Sequence, residues 1–322
     1  MYSQIAGTGG YLPERILTNV DLERMMETTH EWIRDRTGIE RRHIADDRQT
    51  TVDLAEPAAR RALEAAGVRP EEVDFIVFGT STPDYIFPNC GVILQQRLGC
   101  RAGGPAFSLE TACSGFLYAL AVADKFVRAG EAQCALVVGA ETLSRVTDWT
   151  DRSTAVLFAD GAGAVVLRPA VEPGIISTHL HADGTYKDML YCTGGVSRDT
   201  PAYATAKRTI RMSGNEVFKV AVTNLGKVVE EALAANGLER AALDWLVPHQ
   251  ANLRIIQATA RKLDLPMERV IVTVQDHGNT STASVPLALD VGVRDGRIRR
   301  GDLLLLEAFG AGVTWGAALV RY

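Results

Sequence analysis

Apolar residues fall in two patterns along the chain. Short continuous runs, 73–80 (VDFIVFGT), 134–141 (CALVVGAE), 163–169 (GAVVLRP), 243–249 (LDWLVPH), 268–274 (ERVIVTV) and 302–310 (DLLLLEAFG), have no polar alternation. They predict strands covered on both faces. Between them, 51–67, 116–130, 215–237 and 251–265 repeat apolar positions at helical spacing, and three of the four end at or just before a glycine. Such a glycine caps a helix C-terminus. Strands alternating with helices predict an α/β fold with mostly parallel sheets. The polar, Gly- and Pro-containing stretch 192–209 (CTGGVSRDTPAYATAKRT) predicts an exposed loop.

The pattern repeats internally. The segment from Ala62, ALEAAGVRPEEVDFIV, recurs from Ala232 as ALAANGLERAALDWLV, 170 residues later. Leu63/Leu233, Gly67/Gly237, Val73/Leu243, Asp74/Asp244 and Val77/Val247 align, each set forming a helix–Gly–strand unit. LVVGAE (136–141) and LLLEAFG (304–310) lie a similar distance apart. Two related α/β halves are expected, 1–170 and 171–322, with a site between them where strand ends meet. The length of 322 residues suits that division, since single cores usually stop growing below it.

Composition narrows the function classes. The net charge of −5 and pI of about 5.8 give no bulk attraction to nucleic acid or anionic membrane. No apolar run reaches the ~18 residues of a bilayer span, and the first residues, MYSQIAGTGG, lack a basic-then-apolar leader, so the cytoplasm is the expected compartment. Five cysteines, Cys90, Cys100, Cys113, Cys134 and Cys192, are an odd number with no C-x-x-C pair. Neither a disulfide framework nor a metal site is expected, and most of these thiols should serve as small buried hydrophobes.

Cys113 stands apart. In LETACSGFLYAL (109–120) it precedes Ser-Gly and then a strongly apolar helical run. A thiol at a helix N-terminus meets the positive end of the dipole, which favours thiolate, and the amides there can hold an oxyanion. A nucleophilic cysteine needs partners. Of the six histidines, His249 ends an apolar strand in LVPHQANLRI and His277 lies in QDHGNTSTASVPLAL (275–289), which runs from loop into helix. Asn279 in that segment is a neutral donor at a helix start, where asparagine more often serves as a plain N-cap. A papain-like reading fails because ETACSGF does not match C-G-[SA]-C-[WY]. Two neutral donors beside a cysteine suit a reaction that generates an enolate, with both donating to the developing oxyanion.

TACSGF, VPHQANLRI and HGNTSTASVPLAL together resemble the thiolase superfamily, and most closely β-ketoacyl-acyl carrier protein synthase III. The resemblance spans essentially the whole chain, including GTGGYLPERILTN (7–19), TTHEWIRDRTGIERRHIA (28–45), FADGAGAVVL (158–167), GIISTHLHADG (174–184) and the closing LLLEAFGAGVTWGAALVRY. It implies a thiolase-like fold of two duplicated α/β halves in an αβαβα stack. It implies a cofactor-independent, decarboxylating Claisen condensation of an acyl-coenzyme A primer with malonyl-acyl carrier protein, by a homodimer. Cys113 becomes the acylated nucleophile and His249 with Asn279 the decarboxylation pair. The backbone amides of Cys113 and Ala311 become the oxyanion hole. Trp32, Arg36, Arg152 and Asn252 become the coenzyme A contacts. Phe87 becomes the residue that reaches a partner subunit's acyl pocket, with Leu143 and Phe158 as further pocket residues. Lys219, Arg254, Arg261 and Lys262 become the landing site for an acidic carrier protein.

This chain departs from the family pattern in three places. Ser108 stands where an Asp is common, Glu110 replaces a small or neutral residue, and GAGV replaces Gly-Gly-Gly-Phe. A Glu110 carboxylate aimed at the thiol would oppose its ionisation, whereas one aimed away could bridge or line a pocket. The rival functions are a condensing enzyme or acyltransferase of secondary metabolism with another acceptor, a non-catalytic scaffold, and a cysteine hydrolase.

Overall fold

A computed structural model describes residues 1–197 and 208–322. The centre of the loop expected at 192–209 lies outside the described residues. Its flanks, Leu190–Cys192 and Ile210–Met212, pair as a short antiparallel ribbon.

Two sheets carry the fold. In the first, the strands run Tyr2–Tyr11, Asp160–Ala170, Ala135–Thr142, Phe75–Gly79, Ala106–Leu109 across the sheet. In the second the order is Ile175–Ala182, Thr314–Arg321, Leu303–Gly310, Trp245–Pro248. The order and sense of pairing repeat. Each sheet starts with two antiparallel pairs and then makes a parallel one, Ala135–Thr142 with Phe75–Gly79 and Leu303–Gly310 with Trp245–Pro248. The aligned residues Val77 and Val247 occupy the same place, paired with Val137 and Leu306 respectively. The duplication read from two short segments therefore extends through the whole fold.

Two expectations are corrected. The sheets are mixed, because each half folds its return strand back antiparallel, and continuous apolar runs do not reveal strand direction. The run 268–274 is not a strand. It forms a turn at Met267–Arg269, one parallel bridge between Val270 and Leu246, and a short helix Val274–His277. In the first half the matching place holds the fifth strand, Ala106–Leu109, beside Phe75–Gly79. The second sheet keeps one bridge there and then turns away, with Ile271 N–H donating to Leu246 O at 2.9 Å.

Helices Gly115–Ala129 and Ser284–Arg294 are sandwiched between the sheets. Their Phe116, Leu117, Leu120, Val285 and Leu289 share one core with Val77 and Val137 of the first sheet and Val247 and Leu306 of the second. Helices Thr51–Ala66 and Cys90–Leu98 cover the outer face of the first sheet, and Gly214–Ala235 and Leu253–Lys262 that of the second. This is the five-layered α/β stack. Thr51–Ala66 begins at a capping box, Thr50 N–H donating to the Asp53 carboxylate at 2.7 Å, and stops at Gly67 in the left-handed conformation. It lies directly on the first strand: a Cβ at Gly9 would sit 2.2 Å from Ala58 O. That run of glycines disguises the strand, which the apolar pattern missed. Among the described residues no helix is long and apolar enough to cross a membrane.

Candidate active site

The turn that carries Cys113 is built by the strand–turn–helix order of the first half. Ala106–Leu109 delivers the chain to a tight turn, Ala112–Ser114, whose first residue has φ +47°, and the central helix begins at Gly115. The end of Leu303–Gly310 presses on that turn from the second half. A Cβ at Gly310 would lie 2.8 Å from Cys113 N, so only a residue without one allows this approach. Ala311 follows, half-buried, its carbonyl accepting from the Thr314 hydroxyl at 3.3 Å, and that hydroxyl also lies 2.7 Å from Ser114 Oγ.

Cys113, His249 and Asn279 line one cavity of about 320 Å³, shared by the ends of both sheets. They are 6, 7 and 5% exposed, so little but the cavity reaches them. The His249 ring is oriented by Ser284, whose hydroxyl lies 2.5 Å from Nδ1. That hydroxyl oxygen also accepts from Gln250 N–H at 3.4 Å, and the tautomer in which its own proton goes to Nδ1 is the one that presents a donor to the cavity. Nε2 then carries the ring's hydrogen and has no protein partner among the described residues. Burial lowers the His249 pKa to about 3, so the ring is neutral at physiological pH.

Asn279 is held by its backbone, N–H to Leu157 O and C=O from Ala159 N–H, both at 2.9 Å. Its Oδ1 accepts from Ser281 N–H at 2.9 Å, so the side chain holds the first amide of the turn Ser281–Ala283 from one residue ahead of its N-cap, Thr280. The capping consumes the oxygen and leaves the Nδ2 hydrogens for the cavity. His277 is no part of this cavity; it is half-buried, and its pKa falls to about 4, chiefly through desolvation.

The thiol departs from expectation. Burial pushes the Cys113 pKa up to about 12, against the opposing pull of the Ser281 hydroxyl. Desolvation of the charge outweighs the helix terminus, and the thiol rests protonated. Among the described residues Glu110 makes no ion pair and does not line the cavity: its Oε1 accepts from Ala112 N–H at 2.9 Å and from the Ser81 hydroxyl at 2.8 Å. Ser108 Oγ is buried without a partner among the described residues, in the place where the family pattern has an acid.

Around the mouth, the guanidiniums of Arg36 and Arg152 lie over the Trp32 ring, 4.8 and 4.7 Å from its centroid. Asn252 caps Leu253–Lys262 by accepting from Arg254 N–H, and its amide donates to Arg36 O at 3.1 Å, tying that helix to His30–Thr37. All four line the cavity, as do Phe158 and Arg254. Leu143 does not; it is buried in the core beside Val156 and Phe158. Phe87 is 82% exposed beside the exposed Tyr85 and Ile86, outside the cavity of its own chain. Lys219, Arg254, Arg261 and Lys262 are exposed, with Lys262 Nζ donating to Val222 O at 2.9 Å.

Sequence reasoning missed Glu307. It lies in the cavity wall, 1% exposed, Oε2 has no partner among the described residues, and burial raises its pKa to about 8. An acid inside the apolar run LLLEAFG was the available signal. The apolar wall formed by Val217, Phe218, Ala221, Leu225 and Phe309 carried no such signal. Among the described residues no group of acidic, His and Cys side chains is placed to hold a metal ion.

A five-layered duplicated α/β stack with a cysteine, a histidine and an asparagine meeting between its halves defines a thiolase-fold condensing enzyme. Models of 3-oxoacyl-[acyl-carrier-protein] synthase III match residues 107–184, and of its C-terminal region residues 233–322. A β-ketoacyl-[acyl-carrier-protein] synthase III of Thioalkalivibrio sulfidiphilus is 60% identical, over 100% of this chain and 99% of its own. One from Xanthomonas campestris is 62% identical, with the same coverage. The crystal structure of the Aquifex aeolicus enzyme superposes with a TM-score of 0.93 at 44% identity, over 99% of this chain and 100% of that one. A priming β-ketosynthase of the R1128 polyketide pathway superposes at 0.94 with 38% identity, over 99% and 96%. The chain belongs to the β-ketoacyl-[acyl-carrier-protein] synthase III family.

Proposed function

We propose that this enzyme starts type II fatty-acid synthesis by condensing an acyl-coenzyme A with malonyl-acyl carrier protein, using Cys113, His249 and Asn279. The observation that carries the residue assignment is their convergence on one cavity with His249 Nε2 and Asn279 Nδ2 unengaged by any described residue.

In the first half-reaction Cys113 Sγ attacks the thioester carbonyl. The new C–S bond forms, the bond to coenzyme A breaks, and the thiol proton leaves with coenzyme A. The amides of Cys113 and Ala311 hold the tetrahedral oxyanion. In the second, the malonyl C–C bond to the carboxylate breaks and CO₂ departs. The electron pair moves into an enolate whose oxygen takes hydrogen bonds from His249 and Asn279. A neutral histidine suits this role, since it donates without needing to lose a proton. The enolate carbon then attacks the acyl group on Cys113, and the released thiolate takes up one proton. The raised thiol pKa favours that return.

Trp32, with Arg36 and Arg152 over its ring, is the platform for the coenzyme A adenine, and Asn252 lies beside the pantetheine path. Phe158 borders the acyl group, and Leu143 acts behind it through packing. The exposed Tyr85–Phe87 segment supports a homodimer in which Phe87 enters the partner's acyl pocket. Lys219, Arg254, Arg261 and Lys262 give an acidic carrier protein a complementary surface. The halves 1–170 and 171–322 are the two domains, the first bringing the cysteine and the second the histidine and asparagine. The enzyme works in the cytoplasm and needs no cofactor beyond its thioester substrates.

The test is intact-mass spectrometry after incubation with a panel of acyl-coenzyme A compounds. One acyl adduct on Cys113, absent in Cys113→Ala, with ketoacyl product only after malonyl-acyl carrier protein is added, is the expected result. No adduct with any compound overturns the coenzyme A reading. Hydrolysis of the thioester without malonyl donor would indicate a hydrolase instead.

A further inference from the structure

The turn that carries Cys113 has a counterpart in the second half. Ala112–Ser114 leads into the central helix Gly115–Ala129, and Ser281–Ala283 leads into the other central helix, Ser284–Arg294. Each turn opens on a non-glycine residue in the left-handed region, Ala112 at φ +47° and Ser281 at φ +49°. The next residue is Cys113 in one turn and Thr282 in the other. Thr282 is thus the nucleophile's structural twin, and it points back at the nucleophile's turn. Its hydroxyl lies 2.7 Å from Ala112 O and 2.8 Å from Glu141 Oε1.

Space has been cleared for it. A Cβ at Gly79 would lie 2.8 Å from Thr282 Cγ2, one at Gly115 would lie 3.0 Å from the same methyl, and one at Gly139 would lie 2.5 Å from Thr282 O. Glu141 is fully buried and takes donors from Thr80 Oγ1 at 3.2 Å, Ser81 N–H at 3.1 Å and Thr82 Oγ1 at 2.6 Å.

Hydrogen-bond bookkeeping then sets the direction. A hydroxyl has one hydrogen, and Ala112 O and an ionised Glu141 could only accept it. Both short contacts are satisfied when Glu141 carries its proton on Oε1 and donates to Thr282, which donates to Ala112 O. Burial supports this, raising the Glu141 pKa to about 7. On the other side of the same residue, Ala112 N–H donates to Glu110. Ala112 is therefore held at both its peptide groups, by an acid on one side and an acid-backed threonine on the other.

We propose that Thr282, backed by Glu141, and Glu110 clamp Ala112 in its left-handed conformation and so set the Cys113 thiol for attack. They are positioning residues, since none is in the cavity wall. A left-handed alanine is uphill for the backbone and persists only where surrounding contacts hold it. The proposal gives Glu110, one of the three departures from the family pattern, a structural task. It rests on Cys113 being the acylated nucleophile.

The experiment measures the first-order rate of Cys113 acylation by acyl-coenzyme A, by rapid-quench mass spectrometry, across substrate concentrations. Thr282→Val, close in shape but without the hydroxyl, should slow the saturated rate about tenfold, the scale of one buried hydrogen bond, with the half-saturating concentration unchanged. Thr282→Ser should restore the rate to within about twofold, since it returns the hydroxyl and omits the methyl. Thr282→Ala should be as slow as Thr282→Val, and it replaces that variant should Thr282→Val not fold. Wild-type rates without the hydroxyl overturn the clamp, and so does a Thr282→Ser variant as slow as Thr282→Val, which would assign the effect to packing. A wild-type enzyme that takes no acyl group on Cys113 overturns the underlying function instead.

Discussion

The Ser284 hydroxyl lies against Nδ1 of His249 at 2.5 Å and also accepts from the Gln250 amide. This contact determines which ring nitrogen of His249 carries hydrogen, and hence whether the ring presents a donor or a lone pair to the cavity. Ser284→Ala should allow both tautomers and slow decarboxylation of malonyl-acyl carrier protein by about tenfold, a hydrogen bond's worth of preference. Acylation of Cys113 should be unaffected. Separate assays of CO₂ release and of Cys113 labelling check this; equal losses in both would mean that Ser284 supports the fold of the site and not the tautomer.

Asn279 spends its oxygen on the Ser281 amide and keeps its two side-chain hydrogens for the cavity. Asn279→Asp keeps the capping oxygen and replaces the donor with a carboxylate oxygen, so it should fold and yet release CO₂ roughly 10²–10³-fold more slowly, the usual loss for one oxyanion donor. Cys113 labelling should persist. If Asn279→Asp decarboxylates at the normal rate, Asn279 is only a cap.

Trp32 lies under two guanidiniums at the cavity mouth. Stacking of a nucleobase on an aromatic ring is worth ~1–3 kcal/mol, so Trp32→Ala should raise the half-saturating acyl-coenzyme A concentration about tenfold or more. The saturated rate should hold, because the adenine lies far from the reacting carbon in an extended thioester. A variant with an unchanged half-saturating concentration would remove Trp32 from the binding site.

Much of this was legible in the chain and some was not, for identifiable reasons. The buried strands showed because both their faces are covered, which leaves an unbroken apolar run. The first strand, Tyr2–Tyr11, did not, because its glycines exist to let helix Thr51–Ala66 lie on it. The run 268–274 has strand composition and sits where a fifth strand would be, yet makes only the Leu246–Val270 bridge; composition records burial, and pairing depends on the neighbour. The three residues that meet in the cavity, Cys113, His249 and Asn279, stood out through local sequence. The state of the Cys113 thiol did not, because the helix terminus is a local feature and desolvation is set by residues far along the chain. The Thr282–Ala112 contact was equally hidden, spanning 170 residues and two halves of the fold.

Two buried groups in the cavity wall pull stability in opposite directions with pH. His249 has its pKa lowered from 6.5 to about 3 by burial. Between those values the unfolded chain binds more protons, so its contribution is present above pH 6.5 and is lost as pH falls towards 3. Glu307 is raised from 4.5 to about 8, also by burial. There the native state binds more protons, so its contribution is present below pH 4.5 and is lost as pH rises through about 8. Glu307→Gln keeps the shape and removes the titration. Urea unfolding from pH 5 to 9 should show the wild type losing stability towards the alkaline end, with the variant's curve flatter over that range. The acid-side loss, which belongs to His249 and to the half-buried His277, should be the same in both proteins. Parallel curves at alkaline pH would mean that Glu307 is ionised in the native cavity. Its unpartnered Oε2 would then need a counter-charge or water that the folded chain does not itself provide.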